Sequence, residues 1–230
     1  MIDLHSHFLP GIDDGAKDRK DSLRMLAEAF RQGVMLCAGT PHAIVHTNEE
    51  INVFLYKRQQ SIDVLLNGPM PETIPNLIYG AEIFLDNDIS QYPDIKKLCI
   101  GNSNLLLVEL STQKYNPEYA EWLYSLSLVG IVPIIAHIER YPYFEEFSAE
   151  LGDINIVFQM NCKTVLDRGW RKYLLEQRMS GADCLVSSDM HDMRLRKCCM
   201  KKAFDKVNKR NTHIAEELFG GAAKGLLQSN

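Results

Sequence analysis

The sequence predicts an α/β fold whose parallel strands wrap toward a barrel. Three observations predict it. Seven short apolar runs recur along 230 residues, each of a length and composition that suits a buried strand. Amphipathic stretches with helix-capping residues fall between most of them. Strand and helix therefore alternate, the pattern of parallel βα units, and seven such units in this length favour a barrel-like sheet over an open one.

The runs are IDL around Asp3, VMLCAG from Val34, LIYGA from Leu77, LLLVEL from Leu105, IVPIIA from Ile131, INIVFQM from Ile154 and CLVSS from Cys184. The first helix is expected in DSLRMLAEAFRQG, where Leu23, Leu26, Ala27 and Phe30 follow helical spacing and Gly33 suits the exit. In NPEYAEWLYSLSLVG, Asn116 can cap, Pro117 fits the first helical position and Gly130 the exit. Ile51 to Leu66, Trp170 to Met179 and Leu195 to Val207 also read as helices.

Composition narrows the function. With 46% hydrophobic residues the chain can bury a full core, and one domain spanning 1–230 is the simplest organisation. A net charge of −5 offers no basic surface for nucleic acid. Asp3 and the lack of a long apolar stretch argue against a signal peptide. No run approaches the ~20 apolar residues that span a bilayer, so no membrane insertion is expected. The six cysteines form no C-x-x-C pair, and Cys198 and Cys199 are adjacent. That is the usage of a reduced, cytoplasmic protein.

Chemistry concentrates where the apolar runs end. His5 and His7 follow the first run and would share a face of an extended segment. His42 follows the second run in GTPH, Glu82 the third in YGAEIF, and Glu109 ends the fourth in LVELS. His137 follows the fifth in IIAHIER, and Asp189 and His191 follow the seventh in SSDMH. Asp13 and Asp14 lie just beyond the opening histidines, and residue type alone does not choose between them. Five of the seven histidines belong to this set, while His46 and His213 fall at expected helix entries and are left out. In α/β barrels the C-terminal strand ends form the active face, so these side chains would converge.

Histidine and carboxylate without thiolate suit manganese, iron or zinc. Nine ligands are too many for one ion, and bridging carboxylates imply two or three. Such a cluster lowers the pKa of a bound water and clamps an in-line displacement at phosphorus. Arg140, three residues after His137, is suited to hold two phosphate oxygens. Arg194 and Arg196, just past SSDMH, could join an anion site, but read more simply as solvated helix residues.

Taken together, H-x-H near the start, DDGA, TPH, GAE, AHIERY and SDMH resemble the PHP (polymerase and histidinol phosphatase) metallo-phosphoesterases. More closely they resemble the branch of manganese-dependent bacterial protein-tyrosine phosphatases associated with capsule and exopolysaccharide synthesis. The likeness runs in order from Met1 to about Phe219, and LPGIDDGAKD and AHIERY are its most specific segments. It implies a distorted (β/α)7 TIM-like barrel (the PHP fold) with three divalent metal ions, manganese first and iron or zinc as other fits. His5, His7, Glu82 and Asp189 would hold the first ion. Glu82 would bridge to a second, held with Glu109 and His137, and Asp14, His42 and His191 would hold the third. This choice of Asp14 leaves Asp13 to orient a ligand. Arg140 would grip the substrate phosphate, and water would attack phosphorus directly, assisted by His42 and His137 through the metals they hold. The implied partner is a phosphotyrosine protein, the C-terminal tail of a bacterial tyrosine kinase. The AIVHTN segment after His42, the NCKTVL segment around Asn161 and the tail GAAKGLLQSN depart from the family pattern without touching a ligand.

A rival motif exists. Cys162 and Arg168 fit the C-x5-R spacing of cysteine-dependent tyrosine phosphatases. Their phosphate loop wraps backbone amides round the anion, usually with glycine. KTVLD has no glycine, so the match is read as coincidence.

Overall fold

A computed structural model describes residues 1–152 and 154–228; Asp153 and the last two residues of the tail, Ser229 and Asn230, lie outside the described residues. The strands are β1 (Ile2–Asp3), β2 (Leu36–Gly39), β3 (His42–Ala43), β4 (Asn76–Tyr79), β5 (Glu82–Phe84), β6 (Leu105–Glu109), β7 (Val132–Ile135), β8 (Val157–Asn161) and β9 (Cys184–Ser187). All pair in parallel, in the orders β1-β2-β4 and β3-β5-β6-β7-β8-β9.

These two sheets are one ring with kinks. β2 and β3 are a single extended run interrupted at Thr40-Pro41, where proline offers no N–H to the ladder. β4 and β5 are likewise one run, interrupted at Gly80-Ala81. A Cβ on Gly80 would sit 2.9 Å from Ile100 Cγ1, so only glycine lets the chain bend against the segment before β6. Backbone bonds bridge both kinks, from Gly80 N to Gly39 O at 2.9 Å and from Glu82 N to Pro41 O at 3.0 Å. The last run meets the first through a parallel bridge between Ser6 and Met190. His7 N donates to Met190 O and Asp189 N to His5 O, both at 2.9 Å. Seven runs thus close on themselves as the distorted (β/α)7 architecture expected from the sequence.

The helices are α1 (Arg19–Arg31), α2 (Asn48–Leu66), α3 (Tyr119–Leu128), α4 (Phe144–Glu150), α5 (Arg168–Met179), α6 (Met200–Asn208), α7 (Thr212–Glu216) and α8 (Ala222–Gln228), with a π turn at Glu217–Gly221. The crossover from β5 to β6 carries only two 3₁₀ turns, one source of the distortion. The helix expected from Leu195 begins instead at Met200. Asp192 Oδ1 accepts the backbone N–H groups of Arg194, Leu195 and Arg196, closing a side-chain-capped turn that competes with helix.

The large core lies between ring and helices. A smaller cluster fills the ring itself, with Leu4, Ala38, Leu107, Ile134, Val157 and Leu185 contributed by successive runs. Ala223, Leu226 and Leu227 of α8 join that cluster and plug the ring at the end away from the histidines. Among the described residues no helix is long and apolar enough to cross a membrane.

Candidate metal centre

The plugged ring leaves its other end, where the strands finish, for polar side chains. The parallel register sets His42 opposite Glu82, and Phe84 opposite Glu109. His137 and Asp189 follow β7 and β9 in left-handed conformations, with φ of 32° and 50°. A non-glycine residue held there costs of the order of 1–3 kcal/mol. Two such residues turn their side chains inward at one site, which places the strain where the chemistry is.

Glu82 is the hub. It is 1% exposed, and its Oε2 lies 3.1, 3.2 and 3.0 Å from ring nitrogens of His5, His7 and His42. Its Oε1 lies 2.9 Å from His137 Nε2, which is 3.4 Å from Glu109 Oε1. Asp189 Oδ1 lies 3.4 Å from both His5 Nε2 and His191 Nδ1. Asp14 Oδ1 lies 3.4 Å from His42 Nε2 and 3.2 Å from His191 Nε2. All nine residues singled out as ligands therefore meet in one cluster. Donor atoms within 4.8 Å of one another form four overlapping sets: His7, Asp14, His42 and His191; His5, His7 and Asp189; His5, Glu82 and His137; and His42, Glu82 and Glu109. His5, His7, His42 and Glu82 each stand in two sets, so the groups interlock.

The hydrogen-bond network orients the imidazoles. Gln159 Oε1 accepts the His137 backbone N–H at 2.8 Å, so that atom is an oxygen. His5 Nδ1, 2.9 Å from the same oxygen, must then carry a hydrogen. Asp13 does the same for His7, whose Nδ1 lies 2.7 Å from Oδ2. The Asp189 carbonyl, 3.1 Å from His191 Nδ1, can only accept. In each ring Nε2 is left facing the carboxylates, as metal ligands are arranged. Tyr141 O–H, which accepts the Leu110 N–H, lies 3.2 Å from His137 Nδ1.

The sequence reading missed Gln159 and left Asn161 without a role. Gln159 Nε2 donates to Asn161 Oδ1, and Asn161 Nδ2 donates to Asp189 Oδ2, both at 2.9 Å. The signal was present: glutamine and asparagine close an otherwise apolar strand run, where a polar residue needs a reason.

DDGA makes the loop over His7. Ala16 N donates to His7 O at 3.0 Å, and a Cβ on Gly15 would fall 2.1 Å from that same oxygen. Only glycine permits this approach. Asp13 is thereby tucked beneath His7, and Asp14 reaches His42 and His191 from a more exposed position.

Two arginines meet at Asp189. Arg140, on the 3₁₀ turn Ile138–Arg140, bonds Asp189 Oδ2. Arg196 Nη2 lies 2.9 and 3.1 Å from the two Asp189 oxygens, and its Nη1 is 3.3 Å from Asp14 Oδ2. Reading Arg196 as a solvated helix residue is therefore corrected: the Asp192 turn aims it into the site. Arg194 stays exposed on that turn. His46 pairs with Asp86 and His213 lies exposed in α7, both apart from the cluster.

Charge follows burial and neighbours. Burial alone would raise the Glu82 carboxyl, but His5, His137 and His42 outweigh it and hold it well below the usual carboxylate range. Asp189 is lowered against burial by His5 and His7. Burial would lower His7, yet Asp13 and Glu82 raise it to about 10. Burial and the His7 charge push His191 down to about 3. The buried Cys162 thiol is raised well above its ordinary range, partly by its bond to Cys199, the opposite of a nucleophile's need.

Two buried atoms test whether cations fit. Glu82 Oε2 and His191 Nε2 are enclosed and, despite their close ion-pair contacts, make no well-aligned hydrogen bond. Leaving such groups unpaired is costly. Both sit among donor atoms of the hard-to-borderline class that binds divalent metals. The residues fit a metal centre.

The family described as capsular polysaccharide synthesis, CpsB/CapC, matches residues 1–228. Tyrosine-protein phosphatase CpsB of Streptococcus pneumoniae is 31% identical, over 95% of each chain. Tyrosine-protein phosphatase YwqE of Bacillus subtilis is 29% identical over 100% of this chain and 89% of its own. A solved structure described among "YwqE from Bacillus subtilis and CpsB from Streptococcus pneumoniae, unique metal-dependent tyrosine phosphatases" superposes with a TM-score of 0.71 at 25% identity, covering 95% of this chain and 94% of that one.

Proposed function

We propose, for a chain that belongs to the CpsB/CapC family of capsular polysaccharide synthesis, that it is a metal-dependent protein-tyrosine phosphatase, a hydrolase of phosphoric monoesters. The observation that carries this reading is the convergence of five histidines and four carboxylates on one strand-end face, flanked by two arginines. The relatives named above are tyrosine phosphatases, and the solved ones are described as metal-dependent.

His5, His7, Glu82 and Asp189 would hold one ion; Glu82, Glu109 and His137 a second; Asp14, His42 and His191 a third. Manganese is the first choice for all three, with iron or zinc as other fits. When bound, these ions would lower the pKa of a water and neutralise phosphoryl oxygens. Arg140 and Arg196 then clamp the phosphoryl group and face the charge that builds as the ester bond breaks. A cleft of about 500 Å³ beside Arg140, walled by Tyr141, Pro142, Phe144, Trp170 and Tyr173, offers an apolar surface for an aryl leaving group. Cys162, buried as a thiol, would form no phosphocysteine.

Residues 1–230 act as one metallo-phosphoesterase domain. The substrate is a phosphotyrosine protein, the C-terminal tail of a tyrosine kinase that controls polysaccharide synthesis, met in the cytoplasm. Nucleic acid has no part in it. Two competing readings are a phosphatase for a small metabolite of histidinol-phosphate type and a non-catalytic metal-binding regulator. Steady-state hydrolysis by manganese-reconstituted protein separates them. The expected result is a kcat/KM for a phosphotyrosine peptide well above that for histidinol phosphate. The reverse order supports the small-molecule enzyme, and no turnover of either supports the regulator.

A further inference from the structure

Outside the metal centre, two thiols stand closer than non-bonded sulfur atoms normally approach. Cys162 Sγ and Cys199 Sγ are 2.9 Å apart, although 37 residues separate them in the chain. Cys162 directly follows β8, next to Asn161, and Cys199 ends the segment that carries His191 and Arg196. A disulfide needs about 2.05 Å between the sulfurs, so closure calls for a shift below about 1 Å.

The two sulfurs differ in the way an attacking and a resolving thiol must. Cys162 is fully buried. Cys199 is partly exposed and lines a groove of about 660 Å³ that also presents Lys163 and Lys202. The Cys162 S–H donates toward it, and with those lysines lowers the Cys199 pKa against the opposing effect of burial. Neighbouring Cys198 borders the same groove but is buried, with its Sγ 3.7 Å from Gln32 Oε1.

We propose that Cys162 and Cys199 form a peroxide-sensitive dithiol that closes to a reversible disulfide. The Cys199 thiolate attacks a hydroperoxide: an S–O bond forms, the O–O bond breaks, and the departing alkoxide or hydroxide takes a proton to leave as alcohol or water. Sulfur is oxidised by two electrons to the sulfenic acid. The Cys162 thiol then attacks Cys199 Sγ: the S–S bond forms, the S–O bond breaks, and the leaving hydroxide takes the Cys162 proton as water. A dithiol reductant restores both thiols. The bond would tie the end of β8, which orients Asp189 through Asn161, to the segment that aims Arg196.

The test treats the full, reduced protein with equimolar hydrogen peroxide and maps tryptic peptides without reduction. The expected product is a cross-link between peptides 141–163 and 198–201, reversed by dithiothreitol. It should persist in Cys198→Ala and vanish in both Cys199→Ser and Cys162→Ser. Under reducing conditions Cys199→Ser should keep wild-type turnover and thermal stability, which separates chemistry from misfolding. A Cys199 that stops at sulfinic acid with no cross-link, a Cys198–Cys199 link, or a cross-link that survives Cys199→Ser would each overturn the proposal.

Discussion

Gln159 Oε1 lies 2.9 Å from His5 Nδ1, across 154 residues of chain, and the same oxygen accepts the His137 backbone N–H. One amide thus fixes the orientation of one imidazole and the main-chain position of another. Replacing it by leucine keeps the volume but leaves both buried donors without an acceptor. Gln159→Leu is expected to weaken metal binding by about 10–100-fold, the usual effect of losing such a partner. Metal titration of the chelated variant checks this, and an unchanged affinity would mean that Gln159 is only packing.

The paired arginines make a separate claim. Arg140→Ala and Arg196→Ala should each lower kcat/KM by about a hundredfold, roughly 3 kcal/mol, as a charge-assisted contact to the transition state is lost. Each should also weaken inhibition by free phosphate. Metal content should be kept, because Asp189 retains Asn161 and the other arginine. Arg140→Lys should recover only part, since an ammonium cannot form the fork. Arg194→Ala, from the exposed face of the turn, should change turnover by less than about twofold. Wild-type phosphate inhibition in Arg140→Ala would reduce that residue to a surface group.

Gly15→Ala should be among the most damaging single-methyl additions in the molecule. The new Cβ would meet His7 O at 2.1 Å and His7 Cβ at 2.5 Å, both fixed by the ring. Overpacking of this kind costs about 1–3 kcal/mol, or roughly 2–12 °C in Tm for a chain of this size. The loop carrying Asp13 and Asp14 should move, so metal affinity should fall with stability. Thermal unfolding with and without metal tests this, and a variant matching wild type in both would show that the loop yields freely.

Much of this was legible in the residues, for reasons that differ by element. The strands were visible because both faces are buried, so Leu105 to Glu109 reads as an unbroken apolar run ending in one acid. The cluster was visible because strand-end residues converge in this architecture: the eight strand-end positions meet, and Asp14, which only the family resemblance chose over Asp13, meets with them. What stayed hidden depended on turns and side-chain partners. Arg196 looked like a helix residue because helical spacing from Leu195 is acceptable locally, and only the Asp192 side chain decides otherwise. The kinks at Pro41 and Gly80 split two runs into short strands, and the second is set by packing against Ile100 rather than by local sequence. The left-handed backbone at His137 and Asp189 has no sequence signature, since neither residue is glycine.

Protons and metals should compete at Glu82. In the chelated protein His5 and His7 are raised above 6.5, His7 to about 10, against burial and chiefly through Glu82 with Asp189 or Asp13. A histidine whose folded pKa exceeds its unfolded value stabilises fully below the unfolded value, and that stability is lost as pH rises through the folded one. The chelated protein should therefore lose Tm progressively as pH rises from about 6.5 toward about 10. The loaded protein should show the opposite slope, because binding displaces those protons and tightens as pH rises. Parallel slopes for the two forms would mean that His5 and His7 do not exchange protons for metal.

The central claim is that one metal cluster built on Glu82 performs phosphotyrosine hydrolysis. The most direct measurement is elemental analysis and turnover of a phosphotyrosine peptide on the same samples: as purified, after chelation, and after stepwise return of manganese. The account expects more than one transition-metal ion per chain, loss of activity on chelation, and recovery that follows occupancy, with Glu82→Gln recovering neither metal nor rate. A metal-free protein that still hydrolyses the peptide in excess chelator would contradict it.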